Sequence, residues 1–397
     1  MDVLCDTLLL EEILPRLPPK PLLRLSATSR RYNVLARCPS FAARYWRRAG
    51  VFLQPASEPH KAGVFLTAPS YQGAELVLPG PEDDLAEDGI VHSAAGGLLL
   101  CSRGHPTRLT ARYYVCNPVT RQRVALPELG GLCYNPQCGL LTVVAGDATR
   151  FQFQVVVIEE SQFEDTFLRL KVFSSDTGRW NAKHLWLSSY PSLPFEHDFR
   201  RRPVLGPSGA AYWIQRDGGE AIVYDSTSNT LRVIHLPPVS AGGSGHCICI
   251  GERHGSRGLR YRFARADSAA LEVWDSETVD DDHAHAAWVL AHRVAIAELL
   301  GQSSDEAAWH RRRIKPVGFH PTDVDVVFLA LPSGVLAYSV EHGTMDLRCT
   351  LNCFAAPADV FPYVHPPYPV QIPAIQNLTL ELLPRKRKGD DDTYSKS

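Results

Sequence analysis

The densest gathering of metal-type ligands in the chain is His283-x-His285, with His292 downstream and Asp280-Asp281-Asp282 just upstream. Imidazoles and carboxylates of this kind can hold a divalent metal, but a metal centre also needs rigid partners behind each ligand, and the flanking residues supply none. The run therefore reads as an acidic hairpin loop. Ten cysteines are scattered along the chain, and the nearest sets are Cys247-x-Cys249, Cys349-x3-Cys353 and Cys133-x4-Cys138. None has the C-x2-C spacing that wraps a tetrahedral zinc, so free, mostly buried thiols are expected. The glycine-rich run AGGSGH (241–246) fits neither a nucleophile elbow nor a dinucleotide-binding turn, and no phosphate-cradling G-x-x-x-x-G-K-S/T occurs. Arg200-Arg201-Arg202 and Arg311-Arg312-Arg313 with Lys315 are basic runs suited to solvated loops; gripping an acidic or phosphorylated peptide is their functional alternative. The reading is of a chain without catalytic residues, metal or cofactor.

The elements that would position any site fall into three compositional parts. At 397 residues, 45% hydrophobic and 21% charged, the chain has the composition of a globular protein. A net charge of −2 gives no global field for nucleic acid or an anionic membrane. Asp2, Asp6, Glu11 and Glu12 stand where a secretory signal carries positive charge, and no apolar run is long enough to span a bilayer, so an intracellular, soluble chain is expected. Residues 1–50 hold nine Lys/Arg against four Asp/Glu and no glycine before Gly50, which suits helices. Residues 51–383 are rich in Gly, Pro, Val, Tyr and Trp and carry an excess of acid. Residues 384–397 (PRKRKGDDDTYSKS) have no aliphatic side chain and are expected to form a disordered tail.

Within the first part, Leu10, Ile13, Leu14 and Leu17 follow the i, i+3, i+4, i+7 spacing of an apolar helix face. Asp6 or Thr7 can cap this helix, and Pro15, which removes an intrahelical hydrogen bond, is expected to kink or end it. Pro21 suits the first turn of a second helix, Thr28 or Ser29 can cap a third, and a fourth stretch runs from Ser40 to Gly50. So many leucines exceed what so small a core can bury, which points to a partner. The string runs Leu9-Leu10, Glu12-Ile13-Leu14, Arg16-Leu17-Pro18, Lys20-Pro21-Leu22-Leu23-Arg24, Ser29 to Leu35, then Pro39-Ser40-Phe41. It resembles the F-box of plant F-box proteins, with Tyr32 where tryptophan is more usual. That resemblance implies docking on a Skp-family linker and, through it, a cullin. By matching positions, Leu9, Leu10, Ile13, Leu14, Leu17, Pro18, Leu22, Leu25, Tyr32 and Leu35 are the linker-facing and core-forming set.

The second part repeats a strand, a polar turn and another strand. Turn anchors Asn117, Asp176, Asp225, Asp275 and Glu341 recur about every 50 residues, the spacing of a propeller blade. Each is preceded by a further strand-like run, such as GGLLLCS (96–102) or FQFQVVVIEE (151–160). A sixth unit is expected from residues 351–382 joined to VFLQ (51–54) and GVFLTA (63–68), closing the ring and hiding its edges. The opening GGLLLCS followed by YYVCNPVTRQRVALP is similar to the F-box-associated, kelch-like propeller of plant F-box proteins. The expected architecture is therefore α+β and multidomain: an F-box (1–50), an all-β propeller of about six blades as substrate receptor (51–383), and the tail (384–397). The resemblance implies a non-enzymatic adaptor of a Skp/cullin/F-box ubiquitin ligase, with an unnamed target protein held on the propeller. An F-box scaffold outside a ligase and a copper-oxidase-like propeller enzyme are the alternatives. Arg385, Lys386, Arg387 and Lys388 resemble a nuclear-import signal, so nucleus, cytoplasm or both are expected.

Overall fold

The computed structural model describes residues 5–17, 19–38, 41, 45, 50–54, 64–66, 76–77, 89–103, 112–120, 122–129, 137–144, 151–159, 167–186, 204–206, 208–214, 219–237, 248–255, 258–267, 269–277, 287–300, 314–320, 323–331, 334–350, 359–363, 370–375, 378 and 380–382. A β-propeller follows an N-terminal helical module. Strands β1 (Gly50–Gln54), β2 (Val64–Leu66) and β3 (Leu76–Val77) come first. Next are β4 (Gly89–Ala95), β5 (Leu98–Arg103), β6 (Arg112–Asn117) and β7 (Gln122–Ala125), then β8 (Gln137–Val144), β9 (Phe151–Glu159), β10 (Phe167–Ser174) and β11 (Arg179–Trp186). A third group is β12 (Val204–Leu205), β13 (Ala210–Ile214), β14 (Glu220–Asp225) and β15 (Thr230–His235). A fourth is β16 (Ile248–Gly255), β17 (Gly258–Ala266), β18 (Ala270–Ser276) and β19 (Trp288–Ala295). The last is β20 (Lys315–His320), β21 (Asp323–Leu331), β22 (Gly334–Ser339) and β23 (Met345–Thr350), followed by β24 (Asp359–Tyr363) and β25 (Leu380–Leu382).

All pairings are antiparallel, and the described strands form six sheets. Five hold four strands consecutive in the chain, one of them extended by β25 from the C-terminal end, against the expectation of about six blades; the remaining sheet is composite. It takes β24 from the end of the domain and pairs it with β1, setting Phe361 against Phe52 and Val360 against Leu53. The innermost strands touch in the order β4, β8, β12, β16, β20, β24 and back to β4, which closes the ring. The sequence units at 96–102 and 151–160 are second strands of their blades, and four of the five turn anchors lie at the turn between third and fourth strands.

Blade packing explains the runs of apolar residues. A strand sandwiched between two neighbouring blades is buried on both faces, so Val155, Val156, Val157 and Ile158 of β9 are all inside rather than alternating. Phe153, Val155 and Val157 pack towards β5 and β6, while Val156 and Ile158 pack towards Ala211, Ile222 and Tyr224 of the next blade. Outer strands are tied by a recurring contact: Trp180 Nε1 donates to the carbonyl of Pro127 at 2.9 Å, and Trp288 Nε1 to that of His235 at 2.8 Å. Each tryptophan packs a half-buried ring against a neighbouring core and satisfies its one donor. In the β4–β5 hairpin, Gly96 and Gly97 have φ of +54° and +83°, the pair of left-handed residues that a two-residue turn of this twist requires.

The turn anchors are satisfied in different ways. Asn117 Oδ1 accepts from the N–H groups of Val119 and Thr120, and Asp225 Oδ1 from those of Thr227 and Ser228. These are side-chain mimics of a turn. Asp275 departs from the expectation: it lies within β18 and forms a two-pronged ion pair with the buried Arg262, at 2.6 and 2.8 Å. The C-terminal segment departs too. Residues 370–382 join the β4–β7 blade instead of the closing sheet, with β25 pairing β7 so that Leu380 faces Val124.

Candidate partner-binding site

The N-terminal module is built from short helical pieces that turn sharply. A first turn, α1 (Asp6–Leu8), is capped by Cys5 Sγ rather than by Asp6 or Thr7, since Sγ accepts from Leu8 N at 3.4 Å. The chain then widens into a π-turn over Leu9–Ile13 and tightens into a 3-10 turn over Leu14–Arg16. Pro15 stands in that tight turn, and the backbone becomes extended at Leu17, which is where a missing N–H donor ends a helix. Helix α2 (Pro19–Thr28) and helix α3 (Arg30–Ala36) follow, with Ser29 extended at the α3 N-cap but making no side-chain cap bond. Asp6 instead accepts from Arg31 Nε at 2.9 Å, tying α1 to α3.

The structure divides the residues singled out from the sequence. Leu9, Leu14, Leu22 and Leu35 are the module's own core, together with Ala36, Phe41 and Tyr45. Leu10, Ile13, Leu17, Leu25 and Tyr32 are half-buried against that core and keep one side free. Pro18 lies outside the described residues. Two apolar residues the sequence reading passed over are the most open of the module, Leu8 at 40% and Val34 at 64% exposure. Their signal was available: Leu8 lies off the i, i+3, i+4 stripe, and Val34 stands beside Leu35, which faces inward.

Leu23 has a separate role. It is 9% exposed and belongs to a cluster formed by the propeller, with Val91, Leu99, Cys101, Cys116, Val119, Phe361 and Tyr363. Adjacent leucines in α2 thus point into two different cores. Tyr45 donates its hydroxyl to Leu17 O at 3.1 Å inside the module, and Tyr363 donates to Gly97 O at 3.0 Å inside the propeller. Burial, and after it the neighbouring Cys116 and Tyr45, push the Tyr363 hydroxyl well above its ordinary range.

Among the described residues, the pairs and clusters of catalytic type that stand out are tied into the fold. His92 Nε2 lies 2.7 Å from Ser102 Oγ, yet Ser102 is fully buried and no substrate carbonyl can reach it. Of the histidines considered as metal ligands, His292 faces Tyr338 OH at 2.7 Å, while His283, His285 and Asp280 to Asp282 lie outside the described residues. Asp325, Glu341 and His342 have side-chain donors close enough for a cation. The Asp325 oxygens, however, accept from Ser339 Oγ and Glu341 N at 2.8 Å each, and Arg262 stands 3.6 Å away. That group anchors a turn. The arginine triplets at 200–202 and 311–313, the 241–246 run and the tail, with Arg385, Lys386, Arg387 and Lys388, also fall outside the described residues. No helix among the described residues is long and apolar enough to cross a membrane.

Comparisons with known proteins agree with this architecture. Residues 75–336 match the family model described as F-box protein At3g26010-like, beta-propeller. The chain is similar to F-box protein At5g03970 of Arabidopsis thaliana, 28% identical over 379 residues that cover 89% of this chain and 79% of that protein. It is also similar to F-box protein At5g07610 of Arabidopsis thaliana, 25% identical over 243 residues covering 57% of this chain and 55% of that one. Among solved structures, one of U3-55K superposes with a TM-score of 0.39 at 10% identity, over 77% of this chain and 82% of that chain, a likeness too loose to bear on function.

Proposed function

We propose, because the chain belongs to the F-box proteins with an At3g26010-like β-propeller, that it is a non-catalytic substrate-recognition adaptor of a Skp/cullin/F-box ubiquitin ligase. The observation that carries the reading is the pairing of a leucine-rich helical module, open at Leu8 and Val34, with a closed ring of blades. The module offers Leu8, Val34 and the free sides of Leu10, Ile13, Leu17, Leu25 and Tyr32 to a Skp-family linker. The propeller holds a target protein. Catalysis is then proximity: a target lysine held near the ubiquitin-charged enzyme reacts at a raised effective concentration. Entry into the nucleus through Arg385, Lys386, Arg387 and Lys388 belongs to the same proposal, and changing the four to Ala should move a fluorescent fusion out of the nucleus.

The test is capture of a Skp-family linker and a cullin by the full chain, compared with a Leu8→Asp, Val34→Asp variant. Both positions are open, so the variant should fold with a stability change within about 0.5 kcal/mol each. Burying two unpaired carboxylates in an apolar interface costs several kcal/mol, so capture should fall at least 100-fold. Capture of the linker without the cullin would move the reading to a scaffold outside a ligase. A folded wild-type chain that captures no linker would overturn it.

A further inference from the structure

The chain carries eight lysines, at positions 20, 61, 171, 183, 315, 386, 388 and 396, against thirty-three arginines. No lysine occurs between Lys183 and Lys315, a stretch that spans two whole blades and contains many arginines. Position sharpens the contrast. Among the described residues, Arg112, Arg179, Arg253 and Arg293 are exposed on the blades, whereas Lys171, Lys183 and Lys315 are all half-buried. Both residue types give the same surface charge, but only the lysine amine can lose its proton and act as a nucleophile.

On the ligase reading, this difference has a consequence. Ubiquitin transfer needs a neutral amine: the lysine nitrogen attacks the carbonyl of the ubiquitin–enzyme thioester, an amide C–N bond forms, the C–S bond breaks, and the amine's proton is released. A guanidinium does not enter this reaction. We infer that the blades are built to be poor ubiquitin acceptors, and that transfer onto this chain itself is confined to Lys61 and to Lys386, Lys388 and Lys396 of the tail. Lys20 belongs to α2, in the module proposed to lie under the linker. A receptor so built offers the charged enzyme few of its own amines.

Lys183 is the most demanding position for this inference. Burial lowers its amine below the ordinary lysine range, which favours the nucleophilic form. Geometry withholds it: Nζ donates to Tyr224 OH at 3.3 Å and to Asn229 Oδ1, and lies 5.7 Å from the centre of the Tyr224 ring. Lys171 is held in β10 between β9 and β11, opposite Val157 and Ala182.

Two measurements test this. In the free full chain, a short pulse of an amine-acylating N-hydroxysuccinimide ester read by peptide mass spectrometry should label Lys61, Lys386, Lys388 and Lys396 at least tenfold faster than Lys171, Lys183 and Lys315. Equal rates would overturn the inference. In the reconstituted ligase, ubiquitin remnants should fall on those same four residues, and K61R/K386R/K388R/K396R should lose self-conjugation at least tenfold. Adding Arg179→Lys and Arg293→Lys to that variant should restore it. Remnants on Lys171, Lys183 or Lys315 at comparable occupancy, or undiminished conjugation in the fourfold variant, would overturn the inference while leaving the ligase reading intact. A chain that captures no linker sinks both.

Discussion

Asn117 donates its side-chain amide to the carbonyl of Val370 at 2.7 Å, joining residues 253 apart in the chain, while its own oxygen holds the turn to Val119 and Thr120. One buried side chain therefore sets a blade hairpin and pins the C-terminal segment to it. Ile372 N, donating to Gln122 Oε1 at 3.3 Å, and the β25–β7 pairing extend the same seam. Asn117→Ala should lower stability by about 2–3 kcal/mol, the cost of several buried backbone groups losing a partner, read by urea unfolding. Removing residues 370–397 should cost more, because Val370, Ile372 and Ile375 leave the core between two blades. An Asn117→Ala chain as stable as wild type would remove the seam's importance.

Leu22 and Leu23 are adjacent and serve different cores, so their alanine variants should fail differently. Leu22→Ala opens the module's own core and should reduce linker capture along with stability. Leu23→Ala removes the module's anchor in the cluster around Tyr363 and should cost about 2–5 kcal/mol of docking. Limited proteolysis should then separate the module from the ring faster while linker capture persists. Equal cutting of the two variants would show that Leu23 does not hold the module to the ring.

Much of this architecture could be read from the residues, and the exceptions have physical causes. Second and third strands such as β9 and β14 hold apolar runs because blades bury both their faces, and such runs announce themselves. The innermost strands do not: β12 is two residues long, β20 contains Pro316 and Gly318, and β16 carries Glu252. Residues 370–382 read as part of the closing unit because nothing local says that Val370 will meet Asn117. For the module, helical spacing located the leucines but could not say which of two adjacent residues faces a second domain, as Leu22 and Leu23 show.

Glu252 is 2% exposed, and its carboxylate is held by Ser208 N at 2.8 Å, Ser208 Oγ at 2.6 Å and the Tyr212 hydroxyl. The packing is tight enough that a Cβ on Gly206 would fall 2.1 Å from the carboxylate carbon. Tyr212→Phe leaves a buried charge short of a donor and should destabilise by about 1–3 kcal/mol. Ser208→Ala removes a second donor to the same oxygen, so the double variant should lose measurably more or less than the sum. Additive losses in urea unfolding would mean that the two hydroxyls act independently.

Five tyrosines, Tyr212, Tyr224, Tyr261, Tyr338 and Tyr363, have hydroxyls raised above their ordinary range, chiefly because burial opposes the phenolate. For Tyr224 the value rises to about 12. Each is an acid whose proton is held more tightly in the folded chain, so its contribution is fully present below the unfolded value near pH 10 and is lost as pH climbs through the folded value. Stability should accordingly be flat in this respect below pH 10 and fall above it, by about 1.4 kcal/mol per pH unit for each tyrosine that ionises only on unfolding. Chemical denaturation between pH 8 and pH 11.5 reads the slope. Tyr224→Phe should make it shallower between pH 10 and pH 11.5, since phenylalanine has no proton to lose. An unchanged slope would mean that Tyr224 ionises as readily in the folded ring as in the unfolded chain.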